Sequence, residues 1–383
     1  MSSIDWLGKV NPSWGYAPLF TLGDPKKKPN KGMLESNLLS LSYGRIIRRD
    51  IESSDGLVPA SYETYQIVES GDTVLRFTDL QNDQRSLRSG LVEERGIITS
   101  AYLSFTPDRR RLNPAFFAHM MRAVDLSKVF YRMGSGVRQS LNWSEFSLMR
   151  IPLPPLETQQ RIADYLDRET SEIDAAVADL DKYVELLNVK LESASREVFT
   201  ELSANHPLIQ TKFLVDITTG SGDTQDSQEN GGFPFYVRSD TIQRAEDFEF
   251  DCDAVLTSGD GAGVGKIFHL AGGKFKAHQR VYVMHNFKRV SPQYFYWMFK
   301  SAFPDAIRYG GAKSTVDSVR RPMIANLKIP VPDHDAQEKA SKRIEKLHHE
   351  VSTLIAKSTK LRDLLLKRRS VLITEVVTGR KRV

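Results

Sequence analysis

The side chains of this chain that could do chemistry are cations set beside amides and aromatics. YGRIIRRD (residues 43–50) carries Arg45, Arg48 and Arg49 next to Tyr43, and a second group gathers Arg76, Gln81, Asn82, Gln84, Arg85 and Arg88. Arg109, Arg110 and Arg111 follow; Lys266, Lys274, Lys276, His278, Gln279, Arg280 and Lys313 form a later set. Guanidinium forks fit phosphates and guanine edges, whereas Asn and Gln side chains fit adenine. One such cluster would be an ordinary solvated face; two sets in separate parts of the chain point to a nucleic-acid surface.

Catalytic patterns fail one after another. GDGAGVGK (259–266) has Asp260 where a phosphate loop needs its first Gly, and Ile267 where it needs Ser or Thr. The dinucleotide pattern fails too, so the segment reads as a flexible loop whose glycines let backbone approach a ligand. NPSW (11–14) lacks the second proline of the amino-methyltransferase motif, and Pro107-Asp108 has no following acid-x-Lys within residues 109–150. His348 and His349 are adjacent on a helix and point in different directions. The single cysteine, Cys252, excludes an internal disulfide and a multi-cysteine zinc site. No catalytic residue, metal ligand or cofactor loop is assigned to this chain.

These residues need a frame, and the frame is a repeat. At an offset of 178, Ile151, Pro152, Pro154 and Gln159 fall on Ile329, Pro330, Pro332 and Gln337. The same offset matches Leu186-Leu187 with Leu364-Leu365, and PAFF (114–117) with PQYF (292–295). The chain therefore reads as a variable block, a proline step with a helix, a second block, and a second step with its helix. The divisions are 1–150, 151–206, 207–328 and 329–383. Prolines force an extended approach, and Glu157, Asp333 and Asp335 then favour helix starts.

Each helical segment carries a narrow apolar seam of heptad spacing. In the first it runs through Ile173, Val177, Leu180, Val184, Leu187 and Leu191; in the second, through Val351, Leu354, Leu361, Leu365 and Leu372. Lys and Arg number 5 against 12 acids in 151–206, but 13 against 7 in 329–383. Opposite charge favours pairing of the two helices with each other over self-association. The blocks look mixed α/β: residues 65–68, 73–77, 101–105, 235–237, 254–256 and 281–284 read as strands, and 114–124 and 292–303 as helices. A chain of 383 residues, 40% hydrophobic and 26% charged, has room for two or three domains, each with its own core. No run reaches the ~18 apolar residues of a membrane span, and no secretory pattern opens the chain, so a reducing cytoplasm is the expected compartment.

IPLPPLETQQRIADYLD and IPVPDHDAQ, with the helix ends LLNVKLESASREVFT and LLLKRRSVLITEVVTGR, resemble the specificity subunits of type I restriction-modification systems. GDTVLRFTDLQND, GIITSAYLSF and TTGSGDT resemble their target recognition domains. The second junction departs from the pattern, with His334 for leucine and ASKRIE for IADYLD. The resemblance implies an α+β fold: two mixed α/β target recognition domains, separated and linked by two long antiparallel coiled-coil helices. It further implies that each domain reads one half of a bipartite site in double-stranded DNA, and that the helices fix the spacer. Two methyltransferase subunits would dock on this frame, bringing S-adenosylmethionine and flipping adenine. Restriction and translocase subunits would add ATP and magnesium chemistry. The competing readings are a coiled-coil scaffold for protein partners and the specificity subunit of a modification-only system.

Overall fold

The computed structural model describes residues 8–52, 59, 61–80, 83, 86–133, 140–310 and 318–383. We label its four long helices α1 (Pro114–Leu126), α2 (Leu156–Asn205), α3 (Pro292–Gly310) and α4 (His334–Val377). The chain forms two compact units, 1–180 with 360–383, and 181–359. Each unit thus holds one block, the start of the helix that follows that block, and the end of the other helix.

In the first unit a four-stranded antiparallel sheet runs in the order Gly23–Lys26, Leu103–Pro107, Thr73–Leu75, Ser89–Leu91. Strand Gly15–Pro18 pairs with Arg150–Leu153, so the proline step is itself an edge strand. α1 starts with Asn113 capping the Phe116 N–H and Pro114 in the first turn. Its Phe116, Phe117, Met120 and Met121 enter a core that also takes Ile162, Leu166 and Ile173 from α2 and Leu372, Ile373 and Val376 from α4. The NPSW turn has a structural role: the Asn11 N–H donates to the Thr378 carbonyl at 2.8 Å. Trp14 packs against Gly379, where a Cβ would come within 2.8 Å of the indole.

The second unit repeats the plan with different sequence. One sheet runs Asp216–Thr219, Val281–His285, Ala254–Ser258, Phe268–Ala271; the other runs Gln243–Ala245, Phe233–Tyr236, Lys274–Ala277, Phe250–Asp251. α3 buries Tyr294, Phe295, Phe299 and Phe303 against Val198 of α2 and Ala340 and Ile344 of α4. α3 continues past Phe303 through Pro304, because the half-buried Ala306 and Ile307 keep packing on that core. Packing here outweighs the broken backbone hydrogen bond.

The 178-residue repeat holds at the level of single hydrogen bonds. The Gln159 side chain, 1% exposed, accepts from the Asn113 N–H at 2.8 Å and donates to the Arg111 and Pro154 carbonyls at 3.0 and 2.8 Å. Gln337 accepts from the Ser291 N–H at 3.0 Å and donates to the Arg289 and Pro332 carbonyls at 2.9 and 3.1 Å. Every partner is displaced by the same offset. Each glutamine ties block, proline step and helix start into one joint.

The long helices pair antiparallel. Asp174 of α2 meets Arg369 of α4 at 2.9 Å in the first unit, and Glu201 meets Arg343 at 3.0 Å in the second, so the partners descend one helix as they ascend the other. In α2, Ile173 and Leu187 are buried and Val177, Leu180, Val184 and Leu191 half-buried. In α4 the seam differs from the one expected: Val351, Ser358 and Leu372 are buried and Leu365 half-buried, but Leu354 and Leu361 are 40% and 48% exposed. The intervening positions are the half-buried Ile355, Arg362 and Arg369. The step after Val351 is four residues rather than three. This phase turns arginine stems toward the acidic partner helix, where aliphatic stems cover apolar surface and Arg369 reaches Asp174.

Candidate nucleic-acid interface

Strand pairing in the second unit brings four loops to one end of its two sheets. Thr219 pairs with Tyr282, Ser258 with Val281, Phe235 with Gln243, and Tyr236 with Ala277. The loops 220–224, 237–242, 259–267 and 278–280 must therefore emerge together. Backbone bonds stitch them: the Gly222 N–H to the Ala277 carbonyl, the Gln279 N–H to Gly222, and the Gly259 N–H to Arg280. Gly220 permits this approach, since a Cβ there would sit 2.0 Å from the Ala277 oxygen.

The side chains these loops present form a polar concavity of about 350 Å³ lined by Thr224, Arg238, Ser239, Gln243, Asp260 and His278, among others. Asp260 accepts from Arg238 Nη1 at 2.9 Å and also from Arg280 Nη1. Burial would raise the Asp260 carboxyl, but the hydrogen bonds from Arg280 and Arg238 outweigh it and hold the group below the usual carboxylate range. His278 is 4% exposed, and its Nδ1 accepts from the Arg280 N–H at 3.1 Å. Burial first, then the Arg238 charge, push the His278 pKa down. Both effects favour the neutral ring whose Nδ1 accepts that bond. The GDGAGVGK loop is held by Asp260 at one end and by the buried Val264 and Ile267 at the other, so it is an anchored loop where a flexible one was expected.

The other basic residues expected in this block are distributed differently. Lys276 is enclosed by Asp226 at 3.2 Å and Asp247 at 2.8 Å. Lys274 lies over the Phe248 ring at 4.6 Å. Lys266 is exposed at the mouth of a second cavity, beside Arg196, Trp297 and Lys300. Lys313 lies outside the described residues.

In the first unit the prominent feature is the hairpin Leu39–Ser42/Arg45–Arg48. Its two-residue tip, Tyr43-Gly44, has φ of +45° and +77°, the conformation of a tight hairpin turn, and leaves Tyr43 83% exposed. The hairpin is anchored twice: Arg122 donates to the Gly44 carbonyl and Arg45 reaches Asp174 at 2.5 Å. Burial pushes the Arg122 pKa down to about 10, with Asp125 opposing that shift. Arg48 forks onto Glu94, and Arg49 is exposed. Arg76 pairs with Asp83 at 3.5 Å, and Arg109 donates to the Ser70 carbonyl at 2.8 Å. Gln81, Asn82 and Arg85 lie outside the described residues.

Arg88 is a correction. Its side chain is fully buried and donates to the Thr78, Asp79 and Asp83 carbonyls, while its own N–H donates to Asp125. It ties Thr78, Asp79 and Asp83 to Asp125 of α1 and presents nothing to solvent. Arg238, Asp260 and Arg122 did not stand out in the sequence, because each is isolated from the basic clusters. The usable signal in the sequence was Asp260 itself, the acid that breaks the glycine pattern of GDGAGVGK.

No His, Cys, Asp and Glu group able to hold a metal occurs among the described residues, and no helix there is long and apolar enough to cross a membrane. Residues 101–178 and 212–361 match the family model described as the type I restriction modification DNA specificity domain. The chain belongs to that family. Among curated members, this specificity-domain chain is 24% identical to the type I restriction enzyme EcoDI specificity subunit of Escherichia coli over 43% of its own length and 36% of that protein's. It is 20% identical to a putative type I restriction enzyme MjaX specificity subunit of Methanocaldococcus jannaschii, over 73% and 71%. Among solved structures, a chain from a study of complex assembly and conformational transition in a type I R-M system aligns at a TM-score of 0.75, with 16% identity, over 96% of this chain and 98% of that one. The HsdS subunit from Thermoanaerobacter tengcongensis aligns at 0.54, with 14% identity, over 97% and 98%. These two likenesses concern the fold: mixed α/β blocks carried on a long helix pair.

Proposed function

We propose that this specificity-domain chain is the DNA-recognition subunit of a type I restriction-modification complex. Each block reads one half of a bipartite, asymmetric site in double-stranded DNA, and the helix pair sets the unspecified spacer between the halves. The observation that carries the reading is the twinned glutamine joint: Gln159 and Gln337 fix two blocks of different sequence to their helices by the same three hydrogen bonds. Identical mounts carrying dissimilar polar loops suit two readers of two sequences.

The chain supplies recognition and spacing, and the chemistry belongs to its partners. Two methyltransferase subunits would bring S-adenosylmethionine, and restriction and translocase subunits would bring ATP and magnesium. Exposed apolar side chains on the long helices, Tyr183, Leu186 and Val189 of α2 and Leu361 and Leu364 of α4, support docking of the methyltransferases there. The test is to sequence methylated DNA from a host expressing this chain with its methyltransferase, and to measure binding of the complex against salt. A bipartite methylated motif and a steep fall in affinity with salt are expected, the latter because displaced counterions return to the phosphates. Weak, salt-insensitive binding and no motif would favour a protein scaffold instead.

A further inference from the structure

The most specific polar arrangement in the molecule is the pair of arginines held on one carboxylate. Asp260 takes Nη1 of Arg238 and Nη1 of Arg280. It is an ionised acceptor with side-chain exposure of 16%, whereas the two arginines are 42% and 60% exposed. One negative charge thus orients two positive ones and leaves a surplus cation at the loop end. A guanidinium has five N–H donors in a rigid fork. Using Nη1 on Asp260 tethers each fork and leaves Nε and Nη2 to meet a ligand, and no other side-chain partner takes these atoms among the described residues.

A phosphate contact needs only charge, and Lys276 illustrates how this block disposes of charge it does not use, between two aspartates. Arg238 and Arg280 differ in being oriented rather than neutralised. They come from two of the four converging loops: Arg238 lines the concavity with Thr224, Ser239, Gln243 and His278, and Arg280 is tied to it through Asp260. Guanine presents two acceptors, N7 and O6, side by side in the major groove, which an oriented fork meets with two parallel hydrogen bonds.

We infer that Arg238 and Arg280, aligned by Asp260, are base-reading residues of the second block, and that the half-site it reads contains guanine at the positions they face. The inference rests on the proposed DNA recognition and gives it a chemical identity. Asp260 acts as a positioning residue, tethering both forks.

The test uses the complex reconstituted with its methyltransferase subunits and compares wild type with Arg238→Lys, Arg280→Lys and Asp260→Asn. Lysine keeps the charge and loses the fork. Both lysine variants should lose preference for guanine at one position of one half-site by roughly 10- to 100-fold. Affinity for unrelated DNA and the slope of affinity against salt should stay unchanged. Asp260→Asn should relax the same positions more weakly, with the protein still folded by thermal melting. If the lysine variants keep the full guanine preference, or lose affinity equally for every sequence, the arginines contact phosphate or only tie the loops together, and the inference is overturned. Failure of the wild-type complex to select any sequence would instead sink the DNA-recognition reading itself.

Discussion

At the scale of residues, buried polar side chains carry more of the design than the exposed cations do. Gln159 and Gln337 each satisfy one backbone donor and two carbonyls in places closed to water. Replacing either by alanine should cost about 2–4 kcal/mol, since the orphaned backbone groups lose their partners without gaining solvent. Chemical denaturation of each variant checks this, and a loss under 1 kcal/mol would mean water enters the joint. His278 gives a pH signature. Its folded pKa is depressed, so the stability it contributes is complete above its unfolded value near 6.5 and is lost as pH falls through that range. Wild type should therefore lose more melting temperature between pH 7.5 and 5.5 than His278→Asn, whose side-chain oxygen can still accept the Arg280 N–H. Equal losses would show that protonating the ring costs nothing. Arg88 was misread as a DNA contact because sequence gives the type of a side chain but not its depth. In RSLR nothing distinguishes an arginine that faces solvent from one that threads a loop of carbonyls.

At the scale of elements, the helices were legible in outline and misphased in detail. Prolines, first-turn acids and the heptad spacing of α2 located both long helices, and their charge asymmetry anticipated the pairing of Asp174 with Arg369 and Glu201 with Arg343. Leucine spacing in α4 pointed to Leu354 and Leu361, yet the inward phase runs through the buried Ser358 and the half-buried Arg362 and Arg369. Two interleaved heptads share Val351, Ser358, Leu365 and Leu372. Only the acidic partner helix, which rewards arginine over leucine, selects between them. Leu372→Ala should cost about 2–4 kcal/mol and Leu361→Lys less than about 0.5 kcal/mol, measured by denaturation. A comparable cost for both would restore the leucine seam. Matched insertions of seven residues in α2 and α4 preserve the seam and add ~10 Å at 1.5 Å per residue. The methylated motif should then gain about 3 bp of spacer at 3.4 Å each, and an unchanged spacer would contradict the ruler.

At the scale of the whole molecule, the repeat was readable from sequence because its mounts are constrained while its loops are free. The prolines, glutamines and helix ends must satisfy one geometry twice, so they keep both type and register. Loop side chains are free to differ between the blocks, and Arg238 and Asp260 have no sequence counterpart to betray them. The same division makes the blocks exchangeable. Residues 207–328 begin just before strand Leu208–Gln210 and end at the first residue of its partner strand Lys328–Pro330, a closure that a related block can reproduce. The most direct measurement is therefore to replace residues 207–328 with the corresponding block of another family member and sequence the methylated DNA of the host. Two independent readers on common mounts predict a motif in which one half changes while the other half and the spacer stay fixed. A change in both halves, or in neither, would contradict that account.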